Sequence, residues 1–295
     1  MNIFDRKILV LSMLVSGCCL LLFSSCTKDL NIDLPPSVEQ LVVEGHISTG
    51  QFPYVILSRT TDYYSTFYLD SLDNLFVHDA LVKVSNGSDT ITLPELTIDT
   101  GGTVISVYLG LNMIGEEGKT YSLWIEAEGK SLSAITTIPV ASPLDSIWWE
   151  PSAGGEDDSL VRLICRYTDP PLLGNYVRYF TQTNSGAFNP GYNSVFEDAV
   201  INGTSFEFPL DRGVNRNDSN AFDNYGLFKR GDTITVAWDA IDLAHFDFWR
   251  TLEFELGSQG SPFATPVTIQ GNIEGGAGIW GGYSPTYKTL IVPPQ

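Results

Sequence analysis

Strand-length runs of alternating apolar and polar residues recur along this chain, punctuated by Gly-containing turns, and that pattern constrains the fold more than any other feature. Between residues 38 and 140 the runs are Leu41 to Ser48, Tyr54 to Thr60, Leu75 to Ser85, Thr90 to Leu93, Thr103 to Leu109, Tyr121 to Ala127 and Ser131 to Ile138. Asn86-Gly87 and Glu128-Gly129-Lys130 mark hairpins, because Asn and Gly tolerate the positive φ that a tight connection needs. About seven strands in roughly 100 residues, with no helical stretch, predict an immunoglobulin-like β-sandwich over 38–140.

Pro139 and Pro143 then mark a change in composition, and the sequence predicts a second domain over 141–295. Its strand runs are Ser146 to Trp149, Leu160 to Tyr167, Tyr176 to Thr183, Val195 to Val200, Ser205 to Leu210 and Thr233 to Trp238, with a hairpin at Asn202-Gly203. One helix stands out. Asp239 can cap it, with the acidic Asp242 three residues on, and Ile241, Ala244, His245, Phe248 and Leu252 recur at helical spacing before Gly257. The Gly-rich tail from Gly271 to Tyr283 lacks the Lys-Ser/Thr of a phosphate loop. Its glycines predict sharp turns and close backbone approach, with Trp280 and Tyr283 filling the core. The expected fold is mostly β: an N-terminal immunoglobulin-like β-sandwich followed by a second β-rich domain with one α-helix.

The amino terminus carries a different message. Arg6 and Lys7 precede an apolar run from Ile8 to Phe23, then Ser24-Ser25-Cys26, then abruptly polar sequence. This predicts a signal peptide over 1–25 and a lipidated tether over 26–37, with the lipid on Cys26. The run of about 16 residues is shorter than the ~20 that span a bilayer. Val15-Ser16-Gly17-Cys18 fits the lipobox pattern better, making Cys18 the alternative attachment site. Cutting there would leave the apolar stub Cys19 to Phe23 beside the lipid, whereas cutting at Cys26 leaves a polar spacer. The expected partner is therefore a membrane, reached through the lipid. The body holds one cysteine, Cys165, so it has no internal disulfide and no thiolate metal site, and Cys165 is expected to be a buried strand residue.

The formal net charge of −19 repels phosphate backbones and anionic headgroups, which argues against nucleic acid as a partner. His46, His78 and His245 lie far apart, with no metal-ligand spacing, and neither a nucleophile elbow nor His-Glu-x-x-His occurs. No catalytic residue, cofactor or metal is expected, and the chain reads as a non-enzyme. The loop from Asp211 to Asp223 supplies oxygen ligands without EF-hand spacing, so a solvated loop is expected and calcium stays open. Tyr63, Tyr64, Phe67 and Tyr68 fall within six residues and are the candidate ligand or partner contact. They can stack on a sugar or peptide, cap the sandwich, or meet another protein.

The opening Cys26-Thr27-Lys28-Asp29-Leu30-Asn31-Ile32-Asp33-Leu34-Pro35 with Leu41-Val42-Val43-Glu44-Gly45, the junction Asp145-Ser146-Ile147, and the close from Pro262-Phe263 through Gly271-Asn272-Ile273-Glu274-Gly275-Gly276 to Gly281-Gly282-Tyr283 together resemble the DUF4249 lipoproteins of Bacteroidetes. The resemblance spans nearly the whole chain after Cys26. Trp280 departs from it, standing where Phe is expected. The resemblance brings no catalytic or binding residues. It implies an outer-membrane lipoprotein, often encoded beside TonB-dependent receptors, that binds a ligand or assists such a receptor. Two other readings are open: a secreted hydrolase using paired carboxylates on glycans or peptides, which requires a cleft with two convergent acids, and a structural or adhesive surface module, which requires exposed apolar patches and no pocket.

Overall fold

The computed structural model describes residues 39–61, 73–99, 104–152, 158–199, 202–216, 224–258 and 267–295. The expected signal peptide, the tether, Cys18 and Cys26 lie outside the described residues, as do Tyr63, Tyr64, Phe67 and Tyr68 and the 217–223 part of the acidic loop.

Mostly β structure runs through the described residues. In chain order the strands are β1 (Leu41–Ser48), β2 (Tyr54–Arg59), β3 (Leu81–Ser85), β4 (Thr90–Leu93), β5 (Glu95–Asp99), β6 (Val104–Leu109), β7 (Thr120–Ala127), β8 (Lys130–Thr137), β9 (Ser146–Pro151), β10 (Leu160–Thr168), β11 (Tyr176–Thr183), β12 (Asn189–Glu197), β13 (Ser205–Leu210), β14 (Phe228–Lys229), β15 (Thr233–Ile241) and β16 (Ala277–Ile291), with one helix, α1 (Leu243–Ser258), between the last two. They form an eight-stranded sheet in the order β12-β11-β15-β16-β1-β2-β6-β5 and two four-stranded sheets, β4-β3-β7-β8 and one built on β10 from β9, β13 and β14.

The predicted hairpins at 86–87 and 128–130 form. Glu128 and Gly129 take φ 53° and 72°, as a tight turn with positive φ at both central positions requires, whereas 86–89 is a four-residue connection in which Gly87 has φ 90°. The hairpin expected at Asn202-Gly203 does not form. β12 stays in the large sheet while β13 pairs with β10, so the turn carries the chain from one layer to another. The run expected from Leu75 narrows to β3, and Phe76 makes only an isolated bridge to Ser58. β5 was not expected: it follows Pro94 and pairs along β6 as the outer strand of the large sheet.

The largest departure from expectation is the tail. After a turn at Gly275 it forms the fifteen-residue β16, which pairs in parallel with β1 on one side and antiparallel with β15 on the other; Trp280 and Tyr283 are buried, as expected. Gly278 shows why glycine is needed there: its φ is 104°, and a Cβ would sit 2.0 Å from the Val43 carbonyl oxygen. Residues 39–295 therefore form one compact unit, and the boundary expected at 140/141 does not divide the sheet. Two large apolar clusters lie within that unit. One apolar cluster runs from Leu41 to Ile138 and takes Trp280 from β16; the other runs from Leu144 to Val292 around Trp238 and Phe228.

Strand register places both cores on the same face of the large sheet. Val43, Val55 and Trp280 face the β4-β3-β7-β8 layer, while Val177, Val236 and Trp238 face the layer built on β10. The opposite face carries α1, packed through Phe246 against Ile241 and Tyr283. The cap of that helix is Asp242, whose Oδ1 accepts from the His245 backbone N–H at 3.0 Å. Asp239 was expected in that role, but the β15–β16 ladder continues through Ile241 and keeps Asp239 in the sheet. The buried face of α1 also differs from the expected apolar stripe. His245, Phe246, Thr251 and Glu253 are buried, while Phe254 is exposed, because Glu253 is drawn inward by hydrogen bonds from Ser194.

Candidate functional site

Inward alternation on β10 and β13 brings Tyr167, Phe206 and Phe208 to one side of the second core, and Val177, Phe196 and Trp238 come from β11, β12 and β15 on the other. The two layers do not close on each other there. They leave a cavity of ≈ 300 Å³ lined by these residues and by Asp169, Asn175, Glu197 and Asp198.

The walls are aromatic. Trp238 lies 5.3 Å from Tyr167 and 5.8 Å from Phe196, the latter nearly parallel at 25°. Phe206 and Phe208 stack at 5.0 Å, and Phe208 lies 6.0 Å from Trp238. Offset and edge contacts of this kind hold ring walls rigid. Tyr167 is anchored through its hydroxyl to Ser142 Oγ at 2.8 Å, and burial pushes that phenol up to about 12. One donor is unused: the indole Nε1 of Trp238 is buried and has no hydrogen-bond partner. A buried N–H without an acceptor costs about 1–3 kcal/mol.

The loop at the rim, 169–175, is pinned by two carboxylates. Asp198 Oδ2 accepts from the backbone N–H groups of Gly174 at 2.9 Å and Asn175 at 3.0 Å, and from Asn175 Nδ2 at 3.2 Å. Asp169 Oδ2 accepts from Gly203 N–H at 3.2 Å. Burial raises the Asp169 carboxyl above its usual range; the Gly203 bond opposes this and the charge of Asp198 adds to it. Between the two anchors, Leu172 and Leu173 are 79% and 66% exposed. Apolar side chains at the lip of an apolar chamber suit passage of an apolar molecule.

The three histidines separated in the sequence are partly brought together. His46 and His245 both contact the Tyr283 ring, at 4.3 Å and 4.7 Å, while His78 pairs with Glu95 at 2.6 Å elsewhere. Among the described residues no group of three or more His, Cys, Asp or Glu side chains could hold a metal ion. Cys165 is buried, with its thiol pushed up to about 12 by burial. No described helix is long and apolar enough to cross a membrane.

None of the chamber residues stood out in the sequence. The available hints were Phe206 and Phe208 at strand spacing and the consecutive leucines after Pro170-Pro171, where a turn would ordinarily be polar. Residues 27–289 match the model of one protein family, described as a domain of unknown function, DUF4249. No match was found among curated proteins.

Proposed function

We propose, on the premise that the chain belongs to the DUF4249 family, that it is a non-enzymatic binding protein of the bacterial envelope, one of the Bacteroidetes lipoproteins, anchored to the outer membrane by a lipid on Cys26. The chamber around Trp238 takes a small apolar ligand, free or handed to a TonB-dependent receptor. The observation that carries this reading is an aromatic-walled cavity of ≈ 300 Å³ beside a loop that exposes Leu172 and Leu173. Such a site suits a small apolar ring or chain.

Two experiments test the reading. Titrating the chain with aromatic alcohols and ketones of one to two rings should change the emission of Trp238, and Val177→Phe, which fills the chamber, should abolish the response. An unchanged response in that variant overturns the chamber assignment. For the anchor, Cys26→Ala should abolish lipid labelling and Cys18→Ala should not; the reverse result moves the anchor to Cys18.

Asp169 and Asp198 line one cavity, and the Asp169 carboxyl is raised, which is what a hydrolase with paired carboxylates would need. Both side chains are engaged by loop amides, which favours a positioning role. Turnover of a glycan or peptide lost in Asp169→Asn would establish the hydrolytic reading in its place.

A further inference from the structure

A second cavity of ≈ 300 Å³ opens on the opposite face of the large sheet, beside α1. Arg178 on β11 and Asp239 on β15 both line it. They are direct cross-strand partners, and each is more than nine-tenths buried. Opposite charges so placed ordinarily pair. Here no ion pair joins Arg178 to any carboxylate among the described residues.

The guanidinium is held away from Asp239 by other contacts. Its Nε donates to Ser194 Oγ at 3.1 Å, and its centre lies 3.4 Å from the Trp249 ring and 4.6 Å from the Phe180 ring. Ser194 is itself fixed: its backbone N–H donates to Glu253 Oε2 at 2.8 Å, and its hydroxyl donates to the other oxygen of the same carboxylate. Asp239 is left with its buried Oδ1 unpartnered. Burial pushes its carboxyl up to about 7, against the pull of Arg178.

The remaining walls are uncharged or lie at the edge. His46 is stacked on Tyr54 at 5.1 Å and on Tyr283 at 4.3 Å. Burial above all, then the nearby His245 and Arg178, lowers its pKa to about 4, so it is neutral near pH 7. Glu44 is exposed and also lines the cavity. The protein thus holds a buried cation and a buried acid on one wall and lets neither satisfy the other. Arg178 is offset through space by Glu253 behind Ser194 and by Tyr283, without an ion pair, while Asp239 Oδ1 has no bonded partner; a bound molecule carrying both opposite charges would contact both groups at once.

The geometry points to this cavity as a binding site for a small zwitterion of the amino-acid type, its carboxylate received by the Arg178 guanidinium and its ammonium by Asp239. The planar guanidinium fork suits a carboxylate in a way an ammonium does not. Trp249 and Phe180 hold that fork in place, and Tyr54, His46 and Tyr283 supply the dry wall against which the ligand backbone lies. The same pair of charges is offered by a free amino acid and by the two ends of a short peptide.

Calorimetric titration of the full chain with glycine, 4-aminobutyrate and glycylglycine, and with acetate and methylammonium as single-charge probes, tests the assignment. At least one zwitterion should bind about tenfold or more tighter than either single-charge probe; preference for glycine or glycylglycine names the source. Asp239→Asn should erase that preference and retain the weak binding of acetate. Arg178→Lys should weaken every carboxylate probe about tenfold or more. The assignment is overturned if no zwitterion binds, if acetate binds as tightly as the zwitterions, or if the preference survives Asp239→Asn in a variant whose circular dichroism is native.

Discussion

Replacing Asp239 by Asn should make the ligand-free protein more stable above neutral pH and less stable in mild acid. In the fold the carboxyl ionises at about 7, against 3.8 for the unperturbed group. A carboxyl whose folded pKa is raised contributes stability that is complete below about pH 4 and is lost as pH rises towards 7. At 1.36 kcal/mol for each pH decade, that loss reaches about 4 kcal/mol on the alkaline plateau. Asn does not ionise, so it escapes the loss. Its amide is left in the place of a buried oxygen with no partner, which costs about 1–3 kcal/mol at every pH. The variant should therefore be the weaker protein by about 1–3 kcal/mol near pH 4 and the stronger by a similar amount near pH 8.5. Urea unfolding followed by tryptophan emission at several pH values measures both curves. Their difference cancels other titrating groups such as His46, provided the m-values agree. Parallel curves from pH 4 to 8.5 would refute the reasoning, since they would mean that Asp239 ionises in the fold as it does in water.

Three further outcomes are expected. Gly278→Ala forces a Cβ towards the Val43 carbonyl at a φ of 104°, and should cost about 3 kcal/mol or more in urea unfolding; Gly87→Ala, where nothing lies within 4 Å, should cost about 1 kcal/mol. The Cys165 thiol, raised to about 12 by burial, should react with a thiol reagent at pH 8 at least about a hundredfold more slowly in the native protein than in urea, as read by peptide mapping. Asp242→Ala removes the α1 cap and the acceptor of Thr136 Oγ1 at 2.6 Å, and should lower stability by about 2–3 kcal/mol in the same assay. Burial alone would raise the Asp242 carboxyl, but bonds from His245 and Thr136 hold it below its usual range. Its contribution is therefore present above about pH 4 and fades as pH falls through that lowered value.

What the sequence by itself determined is local. The alternation of Leu41–Ser48, Tyr176–Thr183 and Ser205–Leu210 located those strands to the residue, because side-chain direction on a strand repeats every two residues whatever the strand pairs with. The turns at Gly87 and Gly129 were legible because positive φ is a property of the residue and its neighbour. The helix was legible and its cap was not, since Asp239 and Asp242 are equally good caps until β15 is known to continue to Ile241. Only the tertiary structure decided that β16 lies beside β1, joining Ala277–Ile291 to the opposite end of the chain, and that β12 and β13 belong to different sheets. It also decided both cavities. Tyr167, Phe206 and Trp238 face one another, and Arg178 meets Asp239 across a strand pair while Tyr283 meets His46, because strands far apart in the sequence were brought into register. An alternating run states which face it will bury and is silent on its partner, so any site assembled between strands is settled by pairing.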